Sequence, residues 1–220
     1  MVNKDKQPEV ILCFCAHNDD QVIGAGGTLM KYANEGKEIY TYIFSYGESS
    51  HPHLPSKLII KTRVKESQAA DKIISGKGIY HFGLKEGNFI NEVEERGFKD
   101  RLRKLIKEKK PSMIFTHSRD DPHPDHRAVN KVIKEVVDSL NYKGDIYSFD
   151  IWNPLTARDR DKPYLVVDIT DTFAKKIEAI KAHKSQKVAM FSMIPATYIR
   201  AFVNGLNNKC KYAEVFHKIN

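Results

Sequence analysis

The chain has 220 residues, of which 41% are hydrophobic, and it can therefore bury one substantial core. We expect a single domain over residues 1–220, because no internal repeat, low-complexity segment or linker divides the sequence. The 36 basic and 28 acidic residues give a net charge of +8, which is compatible with nucleic acid, anionic lipid or anionic substrates. Because the lysines are interleaved with glutamate and apolar residues at helical spacing, solvated helix faces are favoured over a dedicated binding patch.

The cysteines and the N-terminal segment bear on cellular location. Cys13 and Cys15 are separated by one residue within an apolar run, so they should point to the same face of a strand, and Cys210 makes the count odd. Buried thiols in a reducing compartment explain this pattern better than a metal-binding cysteine pair does. The segment MVNKDKQPEV leads into no signal-peptide core, and no stretch is long enough to span a bilayer. We therefore expect a cytoplasmic protein without a membrane span.

The first half of the chain alternates strand and helix patterns. Val10–Ala16 is a continuous apolar run, as expected of a strand that is buried on both faces. The next patterns predict a helix over Gly24–Asn34, a strand over Glu38–Tyr46, a helix over Lys57–Ile74 and a strand over Ile79–Phe82. This order is typical of a βαβ protein.

The second half continues the alternation. Phe98, Leu102 and Ile106 recur at helical spacing and predict a helix that ends before Pro111. The later patterns predict a strand over Ser112–Thr116, a helix from about Pro124, strands over Asp145–Phe149 and Tyr164–Ile169, a helix over Asp171–Lys184, a short helix near Thr197–Asn204 and a strand near Tyr212–Phe216. Strands separated in this way pair in parallel through right-handed crossovers. We predict an α/β fold, a Rossmann-like three-layer sandwich with a mostly parallel central sheet.

Polar residues follow two of the predicted strands directly. The first strand leads into His17-Asn18-Asp19-Asp20-Gln21, and the fourth leads into the segment from His117 to His126. In open parallel sheets ligands bind at the carboxyl ends of the strands, so the two loops converge if these strands are neighbours. Imidazoles and carboxylates can supply three zinc ligands, a base for water and a donor for an oxyanion.

Each loop alone has a simpler explanation. Asp19 and Asp20 could cap a helix, and the segment from His123 to His126 could start one, with a proline and an aspartate in its first turn. The two motifs together, each after a strand, favour a metal site. His117 could line the pocket or only end its strand. The other histidines outside the motifs are predicted to lie in loops or at the surface, namely His51, His53, His81 and His217.

The segments AHNDDQVIGAGGTL and HPDHRAV together resemble the PIG-L or LmbE-like family of metal-dependent deacetylases, whose usual opening motif is A-H-P-D-D-E before a G-x-G-G-T turn. The resemblance extends through Tyr46-Gly47-Glu48-Ser49, Arg63-x-x-Glu66, Lys176 and His183-x-Ser185-Gln186. Two residues depart from the family pattern, since Asn18 stands where proline is usual and Gln21 replaces a glutamate. Neither change removes a ligand or the base of the family scheme, so we expect activity to survive.

The resemblance implies roles for the polar residues, and it implies the same α/β sandwich. It assigns the metal to His17, Asp20 and His126. Asp19 would be the general base, and His123 would stabilise the oxyanion or protonate the leaving amine. Asp125 would orient an imidazole, and Arg63 would contact the substrate. The implied metal is zinc, although Fe²⁺ or Co²⁺ would satisfy the same ligands.

The leading functional prediction that follows is a zinc-dependent hydrolase. It would remove an acetyl group from an N-acetylglucosamine-type substrate, as a free sugar, a small glycoside or a chitooligosaccharide. The same centre could act on another small N-acyl compound, because the motifs specify the reaction centre and not the pocket walls. A basic nucleic-acid-binding protein is the remaining alternative, although the sequence has no helix-turn-helix, finger or RNP motif. The expected partner is thus a small N-acetylated sugar and not nucleic acid, and the sequence is compatible with a homo-oligomer.

Overall fold

A computed structural model describes residues 7–50, 53–152 and 163–219. The strands in these ranges are β1 (Val10–Cys15), β2 (Glu38–Ile43), β3 (Gly78–His81), β4 (Met113–His117), β5 (Asp145–Phe149), β6 (Tyr164–Asp168) and β7 (Ala213–Lys218). The α-helices are α1 (Asp20–Asn34), α2 (Ser56–Ile73), α3 (Phe89–Glu95), α4 (Phe98–Lys109), α5 (Pro124–Ser139), α6 (Phe173–Lys181) and α7 (Lys187–Asn207).

The strands form one seven-stranded sheet in the order β3-β2-β1-β4-β5-β7-β6. Strands β1 to β5 pair in parallel, whereas β7 lies between β5 and β6 and is antiparallel to both. The predicted α/β sandwich with a mostly parallel sheet is confirmed. The chain leaves β1 toward β2 on one side and later returns to β4 on the other, so the carboxyl ends of β1 and β4 form a topological switch point.

Two apolar layers cover the faces of the sheet, and β1 contributes to both. Ile11, Cys13 and Cys15 belong to the layer that includes residues of α1 and α6. Leu12 and Phe14 belong to the layer that includes residues of α4 and α5. This alternation places the Cys13 and Cys15 sulfur atoms 3.6 Å apart as free buried thiols on one face, as predicted. Helices α1 and α5 therefore approach the switch point from opposite faces of the sheet.

Helix α1 begins at Asp20, four residues before the predicted start at Gly24. The glycines lie inside the helix, where they allow close packing on the sheet. A Cβ atom on Gly24 would lie 2.3 Å from the ring of Phe149, and one on Gly27 would lie 2.8 Å from Ile169. This packing holds the first turn of α1, including Asp20, against the ends of the central strands.

Helix α7 is much longer than the predicted helix near Thr197–Asn204. It runs over 21 residues with Pro195 inside it. Proline removes a backbone donor and is unfavourable in a helix interior, so the sequence pattern indicated only the segment that follows it. Among the helices of the described residues, none combines the length and the apolar content that a membrane span requires.

Candidate active site

Two loops meet at the switch point between β1 and β4. One connects β1 to α1 and carries His17 and Asp19, and the other connects β4 to α5 and carries Asp121 and His123. The first turns of α1 and α5 begin where these loops end. Side chains from both loops and both helix N-termini are therefore directed to one place, although His17 and His126 lie 109 positions apart in the chain.

The structure brings together His17, Asp20 and His126, the three predicted metal ligands. One ligand atom from each lies within 4.8 Å of the other two. Nδ1 of His17 is 3.3 Å from Nε2 of His126 and 3.6 Å from a carboxylate oxygen of Asp20. The other Asp20 oxygen is 3.4 Å from Nε2 of His126. Two imidazoles and one carboxylate are a donor set that fits a catalytic zinc-type ion.

The charges around this trio favour a bound cation. Burial lowers the pKa of His17, but hydrogen bonds with Asp125 and Asp20 outweigh it and raise the pKa to about 10. Burial also opposes protonation of His126, yet Asp20 and Asp121 raise its pKa to about 9. Carboxylates thus outweigh desolvation at both rings. Because metal ligands must be deprotonated, a divalent ion would replace the protons that these imidazoles hold, and the residues present fit such an ion.

Asp121 supports His126 and was not among the predicted site residues. Its Oδ1 lies 2.9 Å from Nδ1 of His126, which leaves Nε2 of that ring facing Asp20. Backbone N–H groups of His123 and Ile151 donate to the two oxygens of this carboxylate. A carboxylate behind a ligand imidazole fixes the orientation of the ring. The loop sequence HSRDDPHPDH contains three aspartates, and only the folded loop shows which one reaches His126.

His117 has a structural position under the trio. It is fully buried at the end of β4, and its ring stacks on His126 with the centroids 4.0 Å apart. Its Nε2 accepts a hydrogen bond of 3.0 Å from the Ala16 N–H, and burial lowers its pKa to about 4. The Ala16 N–H thus uses the lone pair of this neutral ring, although Asp20 Oδ2 also lies 3.1 Å from the same ring nitrogen. Because His117 is not among the residues that line the cavity, the structure favours the end of the strand over the pocket lining.

Asp19 lies beside the trio. Among the described residues its side chain makes no capping hydrogen bond with α1, so helix capping does not account for it. Its Oδ1 is 3.5 Å from Nη2 of Arg63, a guanidinium that is only 4% exposed and also lies 3.4 Å from the Gly47 carbonyl oxygen. Both Asp19 and Arg63 line the cavity above the trio. The structure thus adds a contact between the predicted base and the predicted substrate-binding arginine.

His123 caps the N-terminus of α5, and Asp125 lies in the first turn of that helix. The His123 Nδ1 accepts a hydrogen bond of 3.2 Å from the Asp125 N–H, so in the neutral ring the proton is on Nε2. Burial and the nearby His17 and His126 lower the pKa of His123, which favours that neutral form. The Asp125 carboxylate accepts from the Gly87 N–H and lies 3.3 Å from Nε2 of His17. The imidazole beside Asp125 is therefore His17.

An open cavity of about 460 Å³ lies above these residues. Glu86, which the sequence did not single out, lies 4.0 Å from Nε2 of His17 at the wall of this cavity. The lining residues are His17, Asp19, Asp20, Ile23, Ser49, Ser50, Arg63, Glu86, Gly87, His123, Pro124, Asp125, His126, Ile151, Trp152, Gln186, Ala189, Met190 and Met193. All seven predicted site residues line this one cavity.

Asn18, one of the two departures from the family motif, braces the first loop. Its Nδ2 donates to the Tyr46 carbonyl at 2.9 Å, and its Oδ1 lies 2.6 Å from Nε2 of His81. The loop is thereby tied to the segment after β2 and to the end of β3. His81 was predicted to lie in a loop or at the surface, but it ends β3 and contacts the motif instead, which no local pattern would have revealed.

Gln21, His53 and His217 were also singled out from the sequence, and none of them lines the cavity. Gln21, the other departure, is buried in α1, and its amide atoms have no hydrogen-bond partner among the described residues. His53 is exposed in a turn, and His217 lies in β7. His51 is outside the described residues.

Comparison with known proteins accounts for this arrangement. Residues 12–137 match the family PIG-L, described as GlcNAc-PI de-N-acetylase. The chain belongs to the PIG-L family. The matched part includes both loops and the trio, whereas Trp152 and the α7 residues that line the cavity lie beyond it.

Individual relatives match most of the chain in sequence or in fold. The diacetylchitobiose deacetylase of Thermococcus kodakarensis is 23% identical over 197 residues, which cover 80% of this chain and 69% of that protein. The structure of the N,N'-diacetylchitobiose deacetylase from Pyrococcus horikoshii matches with a TM-score of 0.79 at 25% identity. The aligned residues cover 98% of this chain and 85% of the deacetylase chain. GalB, the 4-carboxy-2-hydroxymuconate hydratase from Pseudomonas putida, has a TM-score of 0.81 at 20% identity, with 96% of each chain covered. The likeness to GalB is one of fold alone.

Proposed function

We propose that this chain is a metal-dependent hydrolase that removes the acetyl group from an N-acetylglucosamine-type substrate, as a free sugar, a small glycoside or a chitooligosaccharide. The observation that carries this proposal is the convergence of His17, Asp20 and His126 below an open cavity, with Asp19 and His123 beside them. Membership of the PIG-L family and the deacetylase relatives support amide hydrolysis.

The residues divide the chemistry of amide hydrolysis among them. A zinc ion held by His17, Asp20 and His126 would supply a Lewis acid for the acetamide carbonyl and would lower the pKa of a water molecule. Asp19 accepts the proton of the attacking water, and Arg63 orients its carboxylate through their contact at 3.5 Å. Asp121 and Asp125 keep the His126 and His17 rings in position from behind.

His123 acts on the other side of the reacting carbonyl. Its Nδ1 is engaged by the Asp125 N–H, so its Nε2–H is the donor that remains for the developing oxyanion. The leaving amine must be protonated as the C–N bond breaks, and the proton that Asp19 has taken from the water supplies this need, so the neutral His123 ring keeps its own proton. Arg63 also remains available to hydroxyl groups of the substrate, because it lines the cavity.

Zinc is the metal that we propose, with Fe²⁺ or Co²⁺ as alternatives for the same ligands. Two imidazoles and a carboxylate suit all three ions, so their availability decides which one is bound. Elemental analysis of protein purified without added metal identifies the ion. A stoichiometric content of zinc, iron or cobalt is expected, and a protein that neither carries nor takes up any of them contradicts the site.

Three further proposals concern the whole chain. We propose that residues 1–220 form one domain, and limited proteolysis should leave it undivided. We propose a cytoplasmic location, which the three free cysteines support because thiols persist in reducing compartments. A homo-oligomer is the third proposal, and sedimentation equilibrium measures it directly.

Acetate release is the test of the function. The metal-loaded protein is incubated with N-acetylglucosamine, its methyl glycoside and diacetylchitobiose, and acetate and free amine are measured with and without a chelator. We expect chelator-sensitive release of both products in equal amounts. Release of a carboxylic acid only from other N-acyl compounds would instead indicate an amidase of different specificity.

The likeness in fold to GalB is the specific reason to test a second reaction in the same preparations. A hydratase adds water to a carbon–carbon double bond, so a conjugated substrate such as 4-carboxy-2-hydroxymuconate would lose its ultraviolet absorbance without release of acetate. Salt-dependent retention on immobilised nucleic acid tests the alternative that the chain is a basic nucleic-acid-binding protein. Either result in the absence of acetate release would overturn the deacetylase proposal.

A further inference from the structure

The two walls of the cavity differ in chemistry. One wall consists of polar side chains from the loops after β2 and β3, from α2 and from the turn before α7, namely Ser49, Ser50, Arg63, Glu86 and Gln186. The other wall consists of apolar side chains from the segment after β5 and from α7, namely Ile151, Trp152, Ala189, Met190 and Met193. Because the sheet order is β3-β2-β1-β4-β5, the loops after β2 and β3 lie on one side of the trio and the segment after β5 lies on the other. A substrate that fills the cavity is therefore polar on one side and apolar on the other.

We propose that the apolar wall, defined as Ile151, Trp152, Ala189, Met190 and Met193, is a subsite for an uncharged alkyl or aromatic aglycone carried by the N-acetylglucosamine unit. This inference rests on the proposed function for the sugar and its acetamide, and it adds the class of group attached to that sugar. The family match ends at residue 137, so it assigns nothing to this wall.

The scarcity of hydrogen-bonding groups on this wall selects the aglycone, since among its five side chains only the Trp152 indole N–H is a strong donor and none is a strong acceptor. Hydroxyl groups of a sugar need donors and acceptors when they leave water, and the polar wall offers both. From Val188 to Ile199 the α7 sequence contains no charged residue, so a charged aglycone would find no counter-ion there. A second sugar ring against the thioethers of Met190 and Met193 would lose hydration without replacement. An alkyl or aromatic group would lose only unfavourable contact with water.

The side chains of the wall also suit aglycones of different shapes. Met190 and Met193 are 5% exposed, so they are held in the core and present only part of their side chains. Unbranched thioethers adapt to ligands of different outline, and tryptophan offers a flat apolar face. Trp152 is 46% exposed at the rim, where an aglycone that extends beyond the cavity would cover it. Within the described part of the chain, the wall is thus buried at its base and exposed at its outer end.

The test is a series of N-acetylglucosaminides with methyl, butyl, hexyl and phenyl aglycones, used below their micelle concentrations with the metal-loaded protein. Free N-acetylglucosamine and diacetylchitobiose are included. We expect kcat/KM for acetate release to rise about two- to fourfold for each added methylene until the wall is covered, as expected for burial of alkyl groups. Diacetylchitobiose should not exceed the methyl glycoside.

Trp152 is the only tryptophan in the chain, so its fluorescence reports occupancy of the wall independently of turnover. Titration with the hexyl glycoside should shift the emission to shorter wavelength at a lower concentration than titration with the methyl glycoside. Ala189→Asp places a charge on the wall and should abolish this difference, and it should reduce the hexyl to methyl ratio of kcat/KM. Phe191→Ser is the matched control, because Phe191 is 85% exposed on the same helix and lies outside the cavity lining.

The two readouts separate the possible failures. If acetate is released but neither kcat/KM nor fluorescence depends on the aglycone, the subsite is wrong and the deacetylase proposal stands. If no substrate releases acetate but the fluorescence shift still follows aglycone length and is lost in Ala189→Asp, the subsite stands and the deacetylase proposal is wrong. Equal effects of Phe191→Ser and Ala189→Asp would show general adsorption to the surface and overturn the subsite.

Discussion

Two groups of buried charged side chains lie on different sides of α1, and only one of them faces open space. In the trio, ligand atoms of His17, Asp20 and His126 crowd within 4.8 Å below a cavity of about 460 Å³. Behind the helix, Lys176 and Glu214 form an ion pair of 2.6 Å beside a space of about 10 Å³, which is room for about one water molecule.

The bonding of the second group explains why it is closed. Lys176 also donates to the Ile23 carbonyl at 2.8 Å, and Glu214 accepts from the N–H groups of Gly27 and Thr28 at 3.1 and 2.8 Å. The opposite charges of Lys176 and Glu214 compensate each other, and their hydrogen bonds satisfy backbone groups of α1. In the trio, imidazole nitrogens instead face one another and a carboxylate. Buried charge therefore indicates a binding site here only where ligand atoms converge on accessible space.

Loss of a trio ligand should have the largest effect. His17→Ala, Asp20→Ala or His126→Ala each removes one of three protein ligands, so each should abolish tight metal binding and lower turnover about a thousandfold or more. Metal content by elemental analysis and acetate release are measured together. His53→Ala is the matched control, because His53 is exposed in a turn and should leave both unchanged. Stoichiometric metal in all three ligand variants would rule out the trio.

The adjacent carboxylates should separate binding from catalysis. Asp19→Asn keeps the shape of the side chain but cannot accept a proton, so it should retain near-stoichiometric metal and lose about two to four orders of magnitude in turnover. Asp20→Asn should weaken metal binding first, with partial rescue of activity by excess zinc. Metal content and turnover of the two variants decide between the roles. Loss of metal in Asp19→Asn with retention in Asp20→Asn would reverse the assignment.

The closed group should show its importance in stability. Lys176→Met leaves the buried Glu214 carboxylate without its ion-pair partner and should lower the free energy of unfolding by about 3–5 kcal/mol. Chemical denaturation measures this change. The double variant Lys176→Met with Glu214→Gln removes the uncompensated charge and should recover part of the loss. Folded Lys176→Met should still bind metal stoichiometrically, and a specific loss of metal would make the two groups parts of one site.

His123→Ala should leave the metal bound and lower turnover about a hundredfold, which is the usual cost of one transition-state donor. His123 touches the cavity but is not one of the trio, so metal content should equal that of the unchanged protein. Turnover per bound metal is the quantity to compare. Undiminished turnover would mean that another residue contacts the oxyanion. Arg63 would then be the next residue to substitute.

A third kind of buried charge should give the smallest effect. Asp71 in α2 is 5% exposed, its Oδ1 has no hydrogen-bond partner within the described part of the chain, and burial raises its pKa to about 6. Because the folded state holds this proton more tightly than the unfolded state, stability should fall as the pH rises from about 4 through about 6. Asp71→Asn should remove that fall and add about 1–3 kcal/mol at pH 7, measured by denaturation at several pH values. If the free energy of unfolding of Asp71→Asn depended on pH as it does in the unchanged protein, this explanation would be contradicted.

Local patterns in the sequence predicted most of the elements and the residue types of the site. The apolar run of β1 and the stripe of α5 can be recognised because burial repeats with the period of the element itself. Elements without such a signal were missed or shortened. Helix α3 has only seven residues, and α7 contains Pro195, so neither shows an uninterrupted helical pattern.

The sequence by itself determined the alternation of strands and helices, the placement of imidazoles and carboxylates directly after β1 and β4, and membership of the family. These features depend on neighbouring residues and on the backbone period. The tertiary structure alone decided that Asp121 reaches His126, that Asn18 reaches His81, and that α7 supplies a wall of the cavity. Such contacts depend on side-chain direction within loops and on segments far apart in the chain, which meet only when the sheet and its helices pack together.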